Sequence, residues 1–434
     1  MFRRNQKYGV PCVLLALLAS NAWAQAAPPN AAVGVAVPVF TQANGVSAPT
    51  TLKQVFDAAW QRQPEAQSRA ARQEAVTARR QAADSWTAEP MALELASQND
   101  RLNNNRGARE LVAGLAMPLW LPGERARTGG LADAEIRASA SRVLAAQLRT
   151  AANVRASYWQ WQRAGIEQAL ARERLSNTQQ LAADVLKRVK VGDLARSDQH
   201  QADGAVAGAE AGLAEATGAL ASASQQLRAL LGKVPVAPAT PVAEPVPELP
   251  ADVAALDEHH PALAELLDRA EVARRSTELT RVQTRGNPEL TLATSRERGV
   301  FNEAYQQSIT VGIRIPLGSS DRNQARLATA QADAIEVEGL LRLEWERLLT
   351  ELDAARIRLE SARAQLSAAD RRSQLARESQ RFFLKSFQMG ETDLPTRLRI
   401  DLEAIDAERQ AARTRIDLAA AISAWRQTLG LLPE

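Results

Sequence analysis

Glu110-Leu111-Val112-Ala113-Gly114-Leu115-Ala116-Met117-Pro118-Leu119 leads into a very long helical pattern, and the chain contains a second copy of this arrangement. The copy is Ser308-Ile309-Thr310-Val311-Gly312-Ile313-Arg314-Ile315-Pro316-Leu317, followed by another long helical pattern. Gly114 and Gly312 are 198 residues apart, as are Pro118 and Pro316. Upstream, Pro90 and Pro288 keep that offset; downstream, so do Gly192 with Gly390 and Gly232 with Gly430. Glycine and proline occupy backbone positions that other residues fill poorly. A shared offset in this punctuation, rather than in alanines, indicates a repeated three-dimensional unit.

Each copy reads as helix, hairpin, long helix, tip turn and returning helix. In the first, Met91, Leu93 and Leu95 alternate with Ala92, Glu94 and Gln98, an Asn-rich turn follows, and Leu111 to Met117 alternates again. That is a β-hairpin. The second copy is plainer: Ile309, Val311, Ile313 and Ile315 face away from Ser308, Thr310, Gly312 and Arg314. After Pro122-Gly123 a helical pattern runs without proline to about Lys190; its twin runs from Asp321 to Gln388. Such helices are about 100 Å long. Leu341, Trp345, Leu348, Leu352, Ala355, Leu359, Ala362 and Leu366 form a heptad seam. Short helices open at Thr50 or Thr51, at Pro64 and at Pro261. The division expected is 51–232 for the first repeat, 233–250 for a Pro-rich linker and 251–434 for the second repeat.

Residues 1–24 read as a secretory signal peptide. Arg3, Arg4 and Lys7 precede the apolar run 13–19, and Ala22-Trp23-Ala24 is a small-x-small cleavage site. Residues 25–50, rich in Ala, Pro, Val and Gly, read as a disordered lead. The whole chain has 53 Lys+Arg against 50 Asp+Glu. Removal of the three leader cations balances the charge, so the basic pI is no argument for nucleic acid. The single cysteine, Cys12, precedes the apolar run and is not placed for a lipid anchor. Aromatics are only 4%, which fits long helices packed side by side rather than globular cores. No stretch after the leader is long and apolar enough for a transmembrane helix.

No enzymatic constellation is legible: there is no nucleophile motif, phosphate loop or Cys/His metal spacing. His200 lies on a returning helix and His259-His260 reads as a helix start. Tyr158, Trp159 and Trp161 are expected to pack between helices. No cofactor and no metal site is expected. One chain supplies four strands with an apolar and a polar face. Four strands cannot close a barrel, and lipid does not tolerate an open edge. In a membrane, several chains must therefore share one barrel.

The order and doubling of these features, over about residues 51–432, resemble the TolC family of outer-membrane efflux proteins. The resemblance implies a mainly α fold with a small β part: a homotrimer with a 12-stranded β-barrel in the outer membrane of a Gram-negative bacterium and an α-helical tube through the periplasm. It implies a passive exit duct, with a periplasmic adaptor (membrane fusion protein) and an inner-membrane pump of the proton-driven RND type as partners. It further implies that the tip turns Val191-Gly192-Asp193-Leu194 and Met389-Gly390-Glu391-Thr392 dock the adaptor. Gly114, Pro118, Gly312 and Pro316 would mark the strand-to-helix junctions. Members often carry acidic residues just past the second tip glycine. This chain departs from that, with Thr396, Arg397 and Arg399 there, so the entrance candidates are Asp198, Asp393, Arg397 and Arg399. The passage Pro118-Leu119-Trp120-Leu121-Pro122-Gly123-Glu124-Arg125 is similar to the heavy-metal, cobalt–zinc–cadmium branch. Cargo is read as heavy-metal cations or drugs. The alternatives are a duct for type I protein secretion and, from another class, a soluble periplasmic coiled-coil adaptor.

Overall fold

The computed structural model describes residues 51–233, 242–247 and 260–434. The readings made for 1–24 and 25–50 lie outside these residues, as do His259 and most of the linker.

Thr51 opens helix α1 (Leu52–Gln61) with a reciprocal cap. Its hydroxyl accepts from the Gln54 amide, and the Gln54 side chain accepts from the Thr51 amide, both at 3.3 Å. Pro64 and Pro261 stand at the first turn of α2 (Pro64–Ala83) and α5 (Pro261–Val282), where a missing N–H costs nothing. The long helices are α3 (Glu124–Val191, 68 residues) and α6 (Ser320–Gln388, 69 residues). Each returns through a shorter helix, α4 (Arg196–Leu231) or α7 (Leu394–Thr428). Between them lie strands β1 (Ala92–Asn99), β2 (Arg109–Pro118), β3 (Glu289–Arg298) and β4 (Gln306–Arg314).

The helices pack as two hairpins, α3 with α4 and α6 with α7. Helix α2 lies on α3, α5 bridges α3 and α6, and α7 reaches back to α3. The core is narrow. One cluster joins Val55, Phe56, Val154, Tyr158, Trp159, Trp161, Leu227 and Ile416. A second joins Leu263, Leu348, Leu352, Ala355, Leu359, Ile422 and Trp425, so the heptad seam of α6 faces α5 and α7. Elsewhere α3 buries alanines such as Ala132, Ala134, Ala145 and Ala146. Small side chains let helix axes approach closely, and the aromatic content stays low.

The four strands form one antiparallel sheet in the order β1-β2-β3-β4. Its register exposes a slip in the repeat. Leu93 pairs with Leu115 and Leu290 with Ile313. From Leu115 to Ile313 is 198 residues, but from Leu93 to Leu290 is 197. The smaller offset also separates Pro64 from Pro261. Pro90 and Pro288 therefore match in number but stand one residue apart in the fold. The slip lies in the loop between the hairpin strands, where chain length is cheap to vary.

Candidate functional site: sheet, junction and tip

Period-two alternation and the observed register place Leu93, Leu95, Leu111, Leu115, Leu290, Leu292, Ile309, Val311 and Ile313 on one face of the sheet. That face is bare: Leu95 is 73% exposed and Ile309 75%. The opposite face carries Glu94, Gln98, Ser295, Glu297, Ser308, Thr310 and Arg314. Strands of eight to ten residues span about 30 Å when extended, close to the hydrocarbon thickness of a bilayer. Gly114 and Gly312 serve close strand approach. A Cβ on Gly114 would lie 3.3 Å from that of Ala293, and one on Gly312 would lie 2.8 Å from the Thr291 hydroxyl. Beyond the strands, the loops lock together. The Phe301 amide donates to the Arg106 carbonyl at 2.8 Å, and the Arg298 and Arg296 guanidiniums lie over the Tyr305 ring.

Pro118 ends β2, and Trp120 donates to the Ser85 carbonyl at 3.2 Å. Pro316 follows β4 and lies against Gly286. The centre of this junction is Glu124, the first residue of α3, which is buried although no cation among the described residues pairs with it. Its carboxylate accepts from Asn287 and Gln283, both at 2.7 Å, and from the Leu121 amide at 3.0 Å. Asn287 also donates to the Leu119 carbonyl at 3.0 Å. Repeat one is thereby fastened to the chain that enters β3. Sequence reasoning quoted Glu124 within a motif but gave it no role.

At the other end, both tip turns close in the same way. The Asp193 amide donates to the Arg188 carbonyl at 2.9 Å and Gly192 to Val189 at 3.2 Å; Glu391 donates to Ser386 at 2.9 Å and Gly390 to Phe387 at 3.2 Å. This paired closure needs a left-handed residue, and Gly192 and Gly390 supply it at φ +88° and +80°. The residue before each glycine projects into open space: Val191 is 75% exposed and Met389 68%. Asp193 and Glu391 are exposed beside them, Leu194 packs inward, and the Thr392 hydroxyl meets that of Ser386 at 2.5 Å.

The four entrance candidates occupy different positions. Asp198 accepts from the Ala195 amide at 3.0 Å and caps α4. Asp393 caps α7 through the Thr396 amide at 3.3 Å. Hydrogen bonding from Thr396 holds its carboxyl below the usual range. Arg399 is exposed. Arg397 is turned inward. Its guanidinium lies 4.7 Å from the centre of the buried Phe387 ring, and that of Arg188 lies 4.8 Å from the same ring. Arg397 Nε is 3.6 Å from the Asp401 carboxylate, which accepts from Gln380 at 3.1 Å. Burial pushes the Arg397 pKa down and the Asp401 pKa up.

Sequence reasoning missed the middle of the molecule. Glu244, from the proline-rich segment, is inserted between Arg155 of α3 and Arg426 of α7 at 2.9 and 3.3 Å. All three side chains are at most 5% exposed. Ser423 donates to Glu244, and Trp159 donates to Ser423 at 2.8 Å. Arg155 also reaches Gln427 at 2.6 Å and the Leu431 carbonyl at 3.0 Å. Arg426 reaches the Pro245 carbonyl at 3.0 Å and Glu434 at 2.8 Å. Glu244 is one of two carboxylates in a linker made mostly of Pro, Val and Ala, and that was the available signal.

Residues 55–233 match the family model described as outer membrane efflux protein. Likeness in fold to solved outer-membrane channel structures extends across both repeats. The open-state outer membrane channel MtrE of Neisseria gonorrhoeae superposes with a TM-score of 0.70 at 17% identity, over 88% of this chain and 90% of that one. CusC, a protein described by its folding and transmembrane channel formation, superposes at 0.69 and 22% identity, over 88% and 92%. In sequence, the chain is 34% identical over 158 residues to the cobalt-zinc-cadmium resistance protein CzcC of Cupriavidus metallidurans. That alignment spans 36% of this chain and 37% of CzcC. Among the described residues, no group of three His, Cys, Asp or Glu side chains is arranged to hold a metal ion.

Proposed function

We propose that the protein is the outer-membrane exit duct of a tripartite efflux system. The observation that carries this reading is a four-stranded sheet with one bare apolar face and two unpaired edges, joined to helices about 100 Å long. An apolar face of that height is at home in lipid, but its edges are not. Three copies would close a 12-stranded barrel, and their helices would form a tube in the periplasm. The duct is passive. It has no nucleotide loop and takes its energy from an inner-membrane pump, of the proton-driven RND type, through an adaptor seated on the tip turns. Val191 and Met389 offer that adaptor two apolar knobs beside left-handed glycine turns. Gly192 and Gly390 have no neighbour within 4 Å of a would-be Cβ, so a partner can approach the backbone there.

For cargo we propose divalent heavy-metal cations, supported by the similarity to CzcC. A wide duct conducts its cargo without ligating it, so coordinating residues are not needed. The test is loss of the gene in its own host. Tolerance of cobalt, zinc and cadmium should fall and return with the wild-type gene. Unchanged metal tolerance with increased drug sensitivity would replace the cargo; a soluble periplasmic protein would replace the duct by an adaptor.

A further inference from the structure

We infer that β4 of one copy pairs with β1 of the next in a single register, which sets Glu94 opposite Arg314. The inference rests on the shared-barrel reading. Inside one chain, β2 and β3 already show how the end of one repeat meets the start of another. Between copies, the same meeting falls to β4 and β1, the two free edges. Carrying β2 onto β4 by 198 residues and β3 onto β1 by 197 transfers the register. Leu115 opposite Leu292 becomes Ile313 opposite Leu95. Val112 opposite Ser295 becomes Thr310 opposite Gln98, and Ala116 opposite Thr291 becomes Arg314 opposite Glu94.

Two features of the sequence agree with this result. The bare apolar faces stay in phase, whereas a one-residue slip would set Ile313 against Glu94. Glu94 is also the sole charged residue of β1, and Arg314 the sole charged residue of β4. The transferred register brings these two together, at a position that is neutral inside the chain. Within its own chain Glu94 faces Gly114, which offers no side chain, while Arg314 stands opposite half-buried Glu289 at 3.6 Å and is itself exposed on its other flank. Opposite charges directly across a strand pair favour that register.

The test is disulfide trapping in the membrane-inserted full chain, whose sole cysteine lies in the expected leader. Opposed Cα atoms are about 4.5–5.5 Å apart, inside disulfide range. Two residues of slip add about 6.8 Å along the strand and leave that range. Gln98→Cys with Thr310→Cys should give covalent dimers and trimers on a boiled, non-reducing gel. The off-register pairs Gln98→Cys with Ser308→Cys, and Ala96→Cys with Thr310→Cys, should not. Val112→Cys with Ser295→Cys is the intrachain control of equal geometry and should yield no multimers. Trapping by an off-register pair, or by none while the particle stays trimeric, overturns the register and leaves the duct standing. No trapping in a monomeric particle overturns the shared barrel itself. As a second readout, Glu94→Arg should lower the trimer fraction severalfold and added Arg314→Glu should restore it; failure of the double variant to recover counts against the pair.

Discussion

The middle and the tip of this molecule both bury arginines, and they do so differently. In the middle, Arg155 and Arg426 share Glu244; Arg155 also donates to Gln427 and the Leu431 carbonyl, and Arg426 donates to the Pro245 carbonyl and forms a second ion pair with Glu434. A buried charge is tolerable when partnered in this way. At the tip, Arg397 and Arg188 lie over Phe387, and the nearest carboxylate to Arg397 is 3.6 Å away and itself raised in pKa by burial. The middle is a sealed clasp that ties the linker across both repeats. The tip is a looser closure of the same residue types. Sub-global opening is expected to begin where buried contacts are fewest, so the end that meets a partner yields first and the clasp last.

The contrast can be broken at several strengths. Glu244→Ala strands two buried guanidiniums and should destabilise the whole chain by about 3–5 kcal/mol, read as a lower thermal midpoint in detergent. A shift confined to the linker, with the helices unmoved, would show that the clasp is ornamental. Phe387→Ala removes the ring beneath both tip arginines and should cost about 3 kcal/mol locally. Hydrogen exchange should quicken around 181–202 and 387–398, while the main transition moves little. If both variants melt the protein alike, the middle and tip are one cooperative unit and the contrast fails.

A weaker effect is expected from pH. The folded pKa of Asp401 lies above its ordinary value of 3.8 because burial disfavours the carboxylate. The cost of its charge is therefore present above the folded pKa and is relieved as pH falls through it. Tip amides, corrected for intrinsic exchange, should become better protected over that window in the wild type but not in Asp401→Asn. Protection that falls equally in both would contradict the assignment. The smallest stability change is expected from Val191→Asp and Met389→Asp, exposed substitutions worth about 0.5 kcal/mol or less. Both should nonetheless abolish metal tolerance if these knobs seat the adaptor. Normal tolerance with either variant would remove that residue from the docking surface.

Much of the architecture was legible because it rests on local periodicity. The apolar alternation at 309–315, the seam through Leu348, Leu352 and Leu359, and the Gly192 and Gly390 turns each carry their geometry within a few residues. What escaped reading is tertiary. Glu244 comes from a linker and Arg155 and Arg426 from distant helices, so no window contains the clasp. Glu124 shows its role only when Gln283 and Asn287, supplied by the other repeat, come beside it. Pro64 and Pro261, 197 residues apart, already carry a one-residue slip in the sequence, and strand pairing shows that it lies in the hairpin loop, past Pro90 and Pro288. Arg397 was read as an entrance candidate, and its inward turn escaped reading because it depends on Phe387, which no charge pattern announces. Asp198 and Asp393 were read as entrance candidates, and the capping role that each also has depends on where its helix begins.

The decisive quantity is the number of chains in the membrane-extracted particle, measured by native mass spectrometry of the processed protein in detergent. Three chains per particle are expected, since four strands with two free edges close only when shared. A single folded chain that persists after extraction, with β1 and β4 unpaired, would contradict the shared barrel and the duct built on it.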